Sequence, residues 1–177
     1  MKTTHNTFFK QITKLGLMLI MGLSIAACGA VSEYKKTPVS KRVDISQPNV
    51  KTELLVHISK EDNYAFSLLF KYKNQEESEL VFALTHGKDV NGRRTNGENT
   101  PISIDVYTIK DGQNVLVSIG GGDSFPAQAS SLGFFKLIYN DYLMPGDYRV
   151  VIDTKAGNPK FKDIEVELYI GLAHRPK

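Results

Sequence analysis

The chain has 177 residues, of which 41% are apolar and 23% charged, with a formal net charge of +3 and a single cysteine. This composition excludes a disordered tail, a collagen-like fibre and a protein that crosses a membrane several times, and it fits one globular domain of ordinary size.

The first 27 residues have the features of an export signal. Lys2, Lys10 and Lys14 precede an apolar run of 13 residues that begins at Leu15, and this segment contains no acidic residue. Such a run is too short for a stable membrane-spanning helix and is typical of a secretory signal. We therefore expect residues 1–27 to be a signal peptide. Cys28, which follows it, indicates the signal peptide of a lipoprotein.

Cys28 directly follows this signal, in the sequence Ile25-Ala26-Ala27-Cys28. An aliphatic residue, two small residues and a cysteine resemble the lipobox of bacterial lipoproteins, in which the thiol receives a diacylglycerol and the new amine is acylated. The alternative is a plain signal peptide with an accidental cysteine. Acylated Cys28 would anchor the chain in a lipid bilayer, and Gly29 in place of Asp favours the periplasmic face of the outer membrane of a Gram-negative bacterium.

Removal of the signal peptide changes the charge. Three of the 22 basic residues leave with it, so that 19 basic and 19 acidic residues remain and the mature chain is formally neutral. A neutral chain gives no support to nucleic-acid binding, and we expect no nucleic-acid partner. With Cys28 acylated no disulfide can form, so the exported domain depends on its hydrophobic core for stability.

Residues 28–37 are mostly small and polar and predict a lipidated tether, while residues 38–177 predict one β-sandwich domain. After Pro38, apolar and polar residues alternate with the period of two that is typical of strands. We expect strands at residues 39–45, 53–58, 64–72, 102–109, 115–119, 134–139, 147–154 and 164–170. The fold class is therefore mainly β, an antiparallel β-sandwich of seven to eight strands with one short α-helix.

The helix is predicted at residues 75–86. Asn74 is a candidate N-cap, Glu77 stands three residues further on, and Gly87 lies where a helix would end. In the strand before it, Tyr64, Phe66, Phe70 and Tyr72 share one face. This stripe could line a ligand pocket, but packing of a half-buried strand against the core explains it better.

Few residues carry catalytic chemistry. His57, His86 and His174 have no second ligand at metal-binding spacing, and the chain has no G-x-S-x-G motif. Ser118 and Ser124 flank three consecutive glycines, but no lysine follows at the spacing of a phosphate-binding loop. We therefore expect a protein that is not an enzyme, with no catalytic residue, no metal and no cofactor.

Two segments, residues 86–100 and 120–133, lack any regular period. Loops of this length in a compact domain are often binding elements. Arg93 and Arg94 in the first loop either pair with an acidic group of a partner or only contact solvent, and Phe125 lies in the second loop. Because arginine and exposed aromatic residues are frequent at interface hot spots, these three are the predicted partner-binding residues.

The order of segments behind the lipobox resembles a known family. The segments are NYAFSLLFKY from Asn63, a short charged helix, TPISI from Thr100, GDSF from Gly122, LMPGDYRV from Leu143 and NPKF from Asn158. They are similar to the bacterial lipoprotein family with the domain of unknown function 5625, over roughly residues 50–175. The resemblance implies no catalytic residues. Small lipoproteins of this kind include immunity proteins that neutralise periplasmic toxins such as type VI secretion effectors.

These observations favour a membrane-anchored periplasmic lipoprotein that binds another protein without enzymatic activity, as an immunity protein against a secreted, type VI-like toxin. Two alternatives remain open at this point. The chain could be an envelope structural or assembly lipoprotein, or a carrier of a small ligand, which would require an apolar cavity with a few polar groups.

Overall fold

The structure, a computed structural model, describes residues 34–87, 91, 97–98, 102–121 and 127–173. Within these residues the chain forms two five-stranded sheets and one α-helix. The predicted fold class, a mainly β sandwich with one short helix, is confirmed. No helix among the described residues is long and apolar enough to span a membrane.

The strands divide between two sheets, which we call the front sheet and the back sheet. The front sheet has the order β1-β3-β9-β5-β6, and the back sheet has the order β2-β10-β4-β8-β7. Their bounds are β1 Lys35–Lys36, β2 Val39–Arg42, β3 Val50–Ile58, β4 Asp62–Phe70, β5 Ile102–Lys110, β6 Gln113–Gly121, β7 Gln128–Ser130, β8 Gly133–Leu143, β9 Gly146–Thr154 and β10 Val166–Leu172. All described pairings are antiparallel except that of β1, which runs parallel to β3.

The structure describes ten strands, where the alternation in the sequence predicts seven or eight. The two additional strands are β1 and β7, of two and three residues. Strands this short contain too few residues to display a period of two. The residues of β1 lie in the segment predicted as tether, and they pair with Val56 and His57 of β3.

The core lies between the two sheets and is formed by every second residue of the long strands. In β4, Tyr64, Phe66 and Phe70 are buried, which confirms that the aromatic stripe is core. Tyr72 lies beyond the end of the strand and is partly exposed, with its ring centroid 5.5 Å from that of Phe134. The stripe stops contributing to the core there because β4 ends at Phe70.

The helix, α1, spans Gln75–Thr85, close to the predicted bounds. The Glu77 amide donates to the side-chain oxygen of Asn74 at 2.8 Å, so that Asn74 is the N-cap. The Glu77 carboxylate in turn accepts from the Lys73 amide at 2.6 Å, which satisfies a second amide at the helix start. Val81 and Thr85 are the buried residues of the helix, whereas Leu80 is exposed.

Candidate protein-binding face

The topology brings the ends of the two irregular segments together. The first segment leads into β5 and the second leaves β6, and in this antiparallel pair Ser103 lies opposite Gly121. Arg93, Arg94 and Phe125, the predicted partner-binding residues, lie outside the described residues, as do Cys28 and the signal peptide. The structure describes the strand ends to which both segments are attached, at Ser103 of β5 and Gly121 of β6.

The first segment is fixed to the fold at Glu98. The Glu98 amide donates to the carbonyl oxygen of Leu84 at the end of α1, at 2.6 Å. The Glu98 carbonyl accepts from the Lys136 ammonium at 3.1 Å, and its carboxylate contacts the Lys160 ammonium at 2.5 Å. The hydrogen bond from Lys160 lowers the pKa of the Glu98 carboxyl below its ordinary value. Three separate elements therefore hold this residue.

Lys136 is a buried lysine that the sequence pattern did not single out. Its position in β8 places it on the inward face with Phe134 and Ile138, and only 1% of it is exposed. Burial of an ammonium is costly unless it is compensated, and here the Glu98 carbonyl supplies a hydrogen bond. The sequence does carry a signal for this residue, because Lys136 occupies an inward position in the alternation of a strand that is otherwise apolar on that face.

The outer face of the front sheet carries a group that we call the Arg149 face: Glu53, Leu55, Tyr107, Arg149 and Val151. Three strands contribute to it, because Leu55 of β3 and Tyr107 of β5 both lie opposite Arg149 of β9. The guanidinium of Arg149 contacts the Glu53 carboxylate at 2.6 Å and lies 5.5 Å from the centroid of the Tyr107 ring. None of the five side chains belongs to the buried core.

The Arg149–Glu53 pair shifts the titration of both groups. The hydrogen bond from Arg149 lowers the pKa of the Glu53 carboxyl, and the same bond raises the pKa of the guanidinium. The pair is therefore charged at any pH near neutrality. An arginine that is held by a carboxylate and lies over an aromatic ring has few conformations to lose when it binds a partner.

The neighbouring edge strand, β6, exposes a run of aliphatic residues. Val115, Leu116, Val117 and Ile119 are between 43% and 65% exposed. The pairing of β6 with β5 shifts between Val106 and Tyr107, and this β-bulge leaves Val117 without a paired residue. The sequence predicts this strand, but it does not predict that the strand lies at an open edge.

The inward side of β6 is closed by Tyr139 of β8. The Ser118 hydroxyl hydrogen-bonds to the Tyr139 hydroxyl, and a Cβ on Gly120 would overlap the Tyr139 ring. Ser118, which precedes the three glycines, therefore has a structural partner. Close packing of the Tyr139 ring explains why the strand has a glycine at position 120. The β6 strand is held to β5 along one edge and to Tyr139 from behind.

A polar cleft of about 140 Å³ lies near the start of α1. Its lining residues are Arg42, Lys71, Tyr72, Lys73, Glu77, Asp163, Ile164 and Glu165. Lys71 contacts Glu167 at 2.6 Å and Glu165 at 3.1 Å, and the first of these hydrogen bonds raises the pKa of its ammonium. Because six of its eight lining residues are charged, this cleft differs from the apolar cavity that a small-ligand carrier needs.

The described histidines have structural partners. His57 Nδ1 lies 2.7 Å from the Asp147 carboxylate across the β3–β9 pair. His86 is buried, with its ring stacked on Phe82 at a centroid distance of 4.4 Å and its Nδ1 2.9 Å from the Thr85 hydroxyl. Within the part of the chain that the structure describes, no three His, Cys, Asp or Glu side chains are grouped so that they could hold a metal ion.

Comparison with known proteins places the chain by fold and by family. A solved crystal structure of a protein from Sulfurospirillum deleyianum is similar to it with a TM-score of 0.63 and 17% sequence identity, and the match covers 78% of this chain and 99% of that chain. At this identity the likeness concerns the fold alone. A search of curated protein sequences finds no match. The model of a family described as "domain of unknown function (DUF5625)" matches residues 40–172, and the chain therefore belongs to the DUF5625 family.

Proposed function

We propose that this chain is a lipoprotein of the outer membrane, anchored on the periplasmic side through acylated Cys28, and that it is a non-enzymatic module that binds another protein. We further propose that it is an immunity protein and that its partner is a secreted toxin of the type VI kind. The lipobox-like sequence at residues 25–28 supports the anchor. The Arg149 face supports the protein partner.

The observation that carries the proposal is the arrangement of Arg149 between Glu53 and Tyr107 on an open sheet face. Arginine and tyrosine are the side chains that most often contribute binding free energy at interfaces. Here both are already ordered, because the arginine is fixed by an ion pair of 2.6 Å and lies against the tyrosine ring. Leu55, opposite Arg149, and Val151, opposite Glu53, add aliphatic surface to the face.

The proposed interface also includes the contact residues that the sequence predicts in the two irregular segments. The β5 and β6 ends at Ser103 and Gly121, where the two segments attach, belong to the same sheet as Arg149. Arg93, Arg94 and Phe125 would then contact the partner beside the Arg149 face. A toxin active site lined with acidic groups would be complementary to Arg93 and Arg94, while Arg149 is already paired with Glu53.

The test uses bacteria that direct to their periplasm each effector encoded next to the gene for this chain. Full-length wild-type protein is expected to restore growth against one of these effectors, whereas Arg149→Ala is expected to weaken the complex 10-fold or more and to reduce protection. Arg42→Ala, which removes an arginine from the back sheet, is the matched control and is expected to protect fully.

Thermal unfolding of each variant shows whether a loss of protection arises from a loss of fold. If the wild-type chain protects against none of the neighbouring effectors, the immunity function is wrong. If it protects and Arg149→Ala protects equally well, the function is retained and the Arg149 face is not the binding site.

A further inference from the structure

The two sides of the sandwich differ in how their edge strands are protected. On one side, β1 carries Lys35 and Lys36, and β2 carries Lys41 and Arg42. The Lys41 ammonium also donates to the backbone carbonyl of Glu53 in β3, at 2.7 Å. Lysines on edge strands oppose pairing with another chain, because pairing would bury or repel their charges. This side is protected against association.

The opposite edge of the front sheet has no charged side chain, and its one irregularity is the β-bulge at Val117. The β6 strand, QNVLVSIGG, has nine residues and contains neither a charged residue nor a proline. It pairs with β5 along one edge, and no described strand pairs with it along the other. A strand of this length presents an open backbone edge of about 30 Å.

The side chains of β6 are suited to burial. Leu116 and Ile119 lie opposite the outward residues Tyr107 and Asp105, while Val115 lies opposite Thr108 on the inward face. Both faces of the strand therefore carry exposed aliphatic groups next to the open edge. An open, uncharged and apolar edge is the usual template for strand addition.

We propose that β6 of one copy pairs antiparallel with β6 of a second copy of this chain, so that the two front sheets join into one sheet of ten strands. This is an isologous contact, in which the same surface is used twice. Because β6 is uncharged, the pairing brings no like charges together. The same pairing at β1 would place Lys35 of one copy opposite Lys36 of the other.

The faces of the strand select the register. With Leu116 of one copy opposite Ile119 of the other, both aliphatic side chains lie on the outward face, and Val115 meets Gly120 on the inward face. Val117 then lies opposite Ser118, next to the two-fold axis. A shift by one residue would pair inward with outward side chains, which disfavours that register.

The available area is of the order that a dimer needs. Two stacked sheets with their side chains are roughly 20 Å deep, so an edge about 30 Å long presents on the order of 600 Å² per copy. Standard interfaces bury about 800 Å² per partner. Anchoring of both copies in one membrane, as the proposed function includes, would raise their effective concentration and favour so small an interface.

The first test is crosslinking of the full chain in its membrane. Wild-type protein contains a single cysteine, Cys28, so Val117→Cys adds one thiol beside the proposed axis. Mild oxidation is expected to convert this variant into a covalent dimer of twice the chain mass. Leu172→Cys is the matched control, since Leu172 is 55% exposed against 48% for Val117 but lies on β10. We expect at least 10-fold less dimer from it.

If Val117→Cys forms dimer no faster than Leu172→Cys, the proposal is overturned. An adduct whose mass is not twice that of the chain would show another protein at this edge and would equally exclude the second copy. Either result leaves the proposed function intact, because the toxin-protection experiment does not depend on β6 pairing.

The second test introduces charge and is independent of cysteine chemistry. Leu116→Lys with Ile119→Lys is expected to halve the protein mass measured by light scattering of the detergent-solubilised chain, because the pairing would place four ammonium groups side by side. Leu172→Lys changes an exposed leucine of β10, a strand inside the back sheet, and is expected to leave the dimer intact. A double variant that remains folded and dimeric would contradict the proposal.

Discussion

Lys136 shows how a single residue connects the core to a loop. Its side chain is as buried as the aliphatic residues around it, yet its ammonium reaches the Glu98 carbonyl. Glu98 is also bonded to Leu84 and Lys160. The lysine therefore fills core volume with its methylene groups and orders a loop residue with its charge.

Replacement of Lys136 separates these two contributions. Lys136→Ala is expected to lower the free energy of unfolding by about 2–4 kcal/mol, because it removes buried methylene groups and leaves a cavity. Lys136→Met keeps most of that volume and is expected to cost less, about 1 kcal/mol for the lost hydrogen bond. Urea denaturation at neutral pH measures both, with Lys110→Ala on the exposed end of β5 as control. Equal losses for Ala and Met would contradict the packing contribution.

The lowered pKa of Glu98 predicts the direction of acid sensitivity. Its ordinary pKa is 4.5, and the bond from Lys160 lowers the value in the folded protein. The unfolded chain therefore binds more protons between the two pKa values, and the stabilisation is complete above pH 4.5 and is lost as the pH falls through the folded-state pKa.

Glu98→Gln is accordingly expected to show a smaller loss of unfolding free energy between pH 5 and pH 3 than the wild-type chain, as measured by urea denaturation at each pH. Glu61→Gln, at an exposed position between β3 and β4, is the control and is expected to keep the wild-type slope. An unchanged slope in Glu98→Gln would show that the Lys160 bond does not form in solution.

At the scale of elements, α1 depends on its first turn. The Asn74 side chain accepts from the Glu77 amide, one of the first amides of the helix, which have no acceptor within the helix itself. Asn74→Ala is expected to reduce the free energy of unfolding by about 1 kcal/mol. Urea denaturation measures this change, and Asn140→Ala, an exposed asparagine of β8, is the control with little expected effect. A loss below about 0.3 kcal/mol would mean that water replaces the cap.

The elements that the sequence predicts well are those with local signals. The alternation in β4 and the pair of Asn74 and Glu77 at the start of α1 are contained in a few consecutive residues, and the structure confirms both elements. By contrast, β1 and β7 are too short to show a pattern. The exposure of β6 depends on its place in the order of the sheet, and no local pattern encodes that order.

The candidate site illustrates the same limit. Glu53, Tyr107 and Arg149 are separated by tens of residues, and only the pairing of β3, β9 and β5 brings them together. Each is an ordinary outward residue of its own strand, so nothing in the sequence distinguishes it. The residues that the sequence did single out, Arg93, Arg94 and Phe125, are untested because they lie outside the described residues.

At the scale of the whole molecule, the proposed location depends on Cys28. Mass spectrometry of the wild-type protein is expected to find an N-terminal peptide that begins at Cys28 and carries diacylglycerol and an acyl chain. Cys28→Ser is expected to yield no such peptide and to leave the membrane fraction after the signal is removed by an engineered protease site. Unchanged membrane retention of that cleaved variant would exclude lipid anchoring.

The position of β1 at the far edge of the front sheet has a consequence for any dimer formed through β6. In a sheet of ten strands the two β1 strands lie at opposite ends, roughly 40 Å apart at about 4.8 Å per strand. Among the described residues the polypeptide enters each domain at these ends, since β1 is the first strand described. The two proposed lipid anchors would therefore join the dimer at opposite ends of the sheet. If one anchor left the membrane, the other would keep the dimer attached.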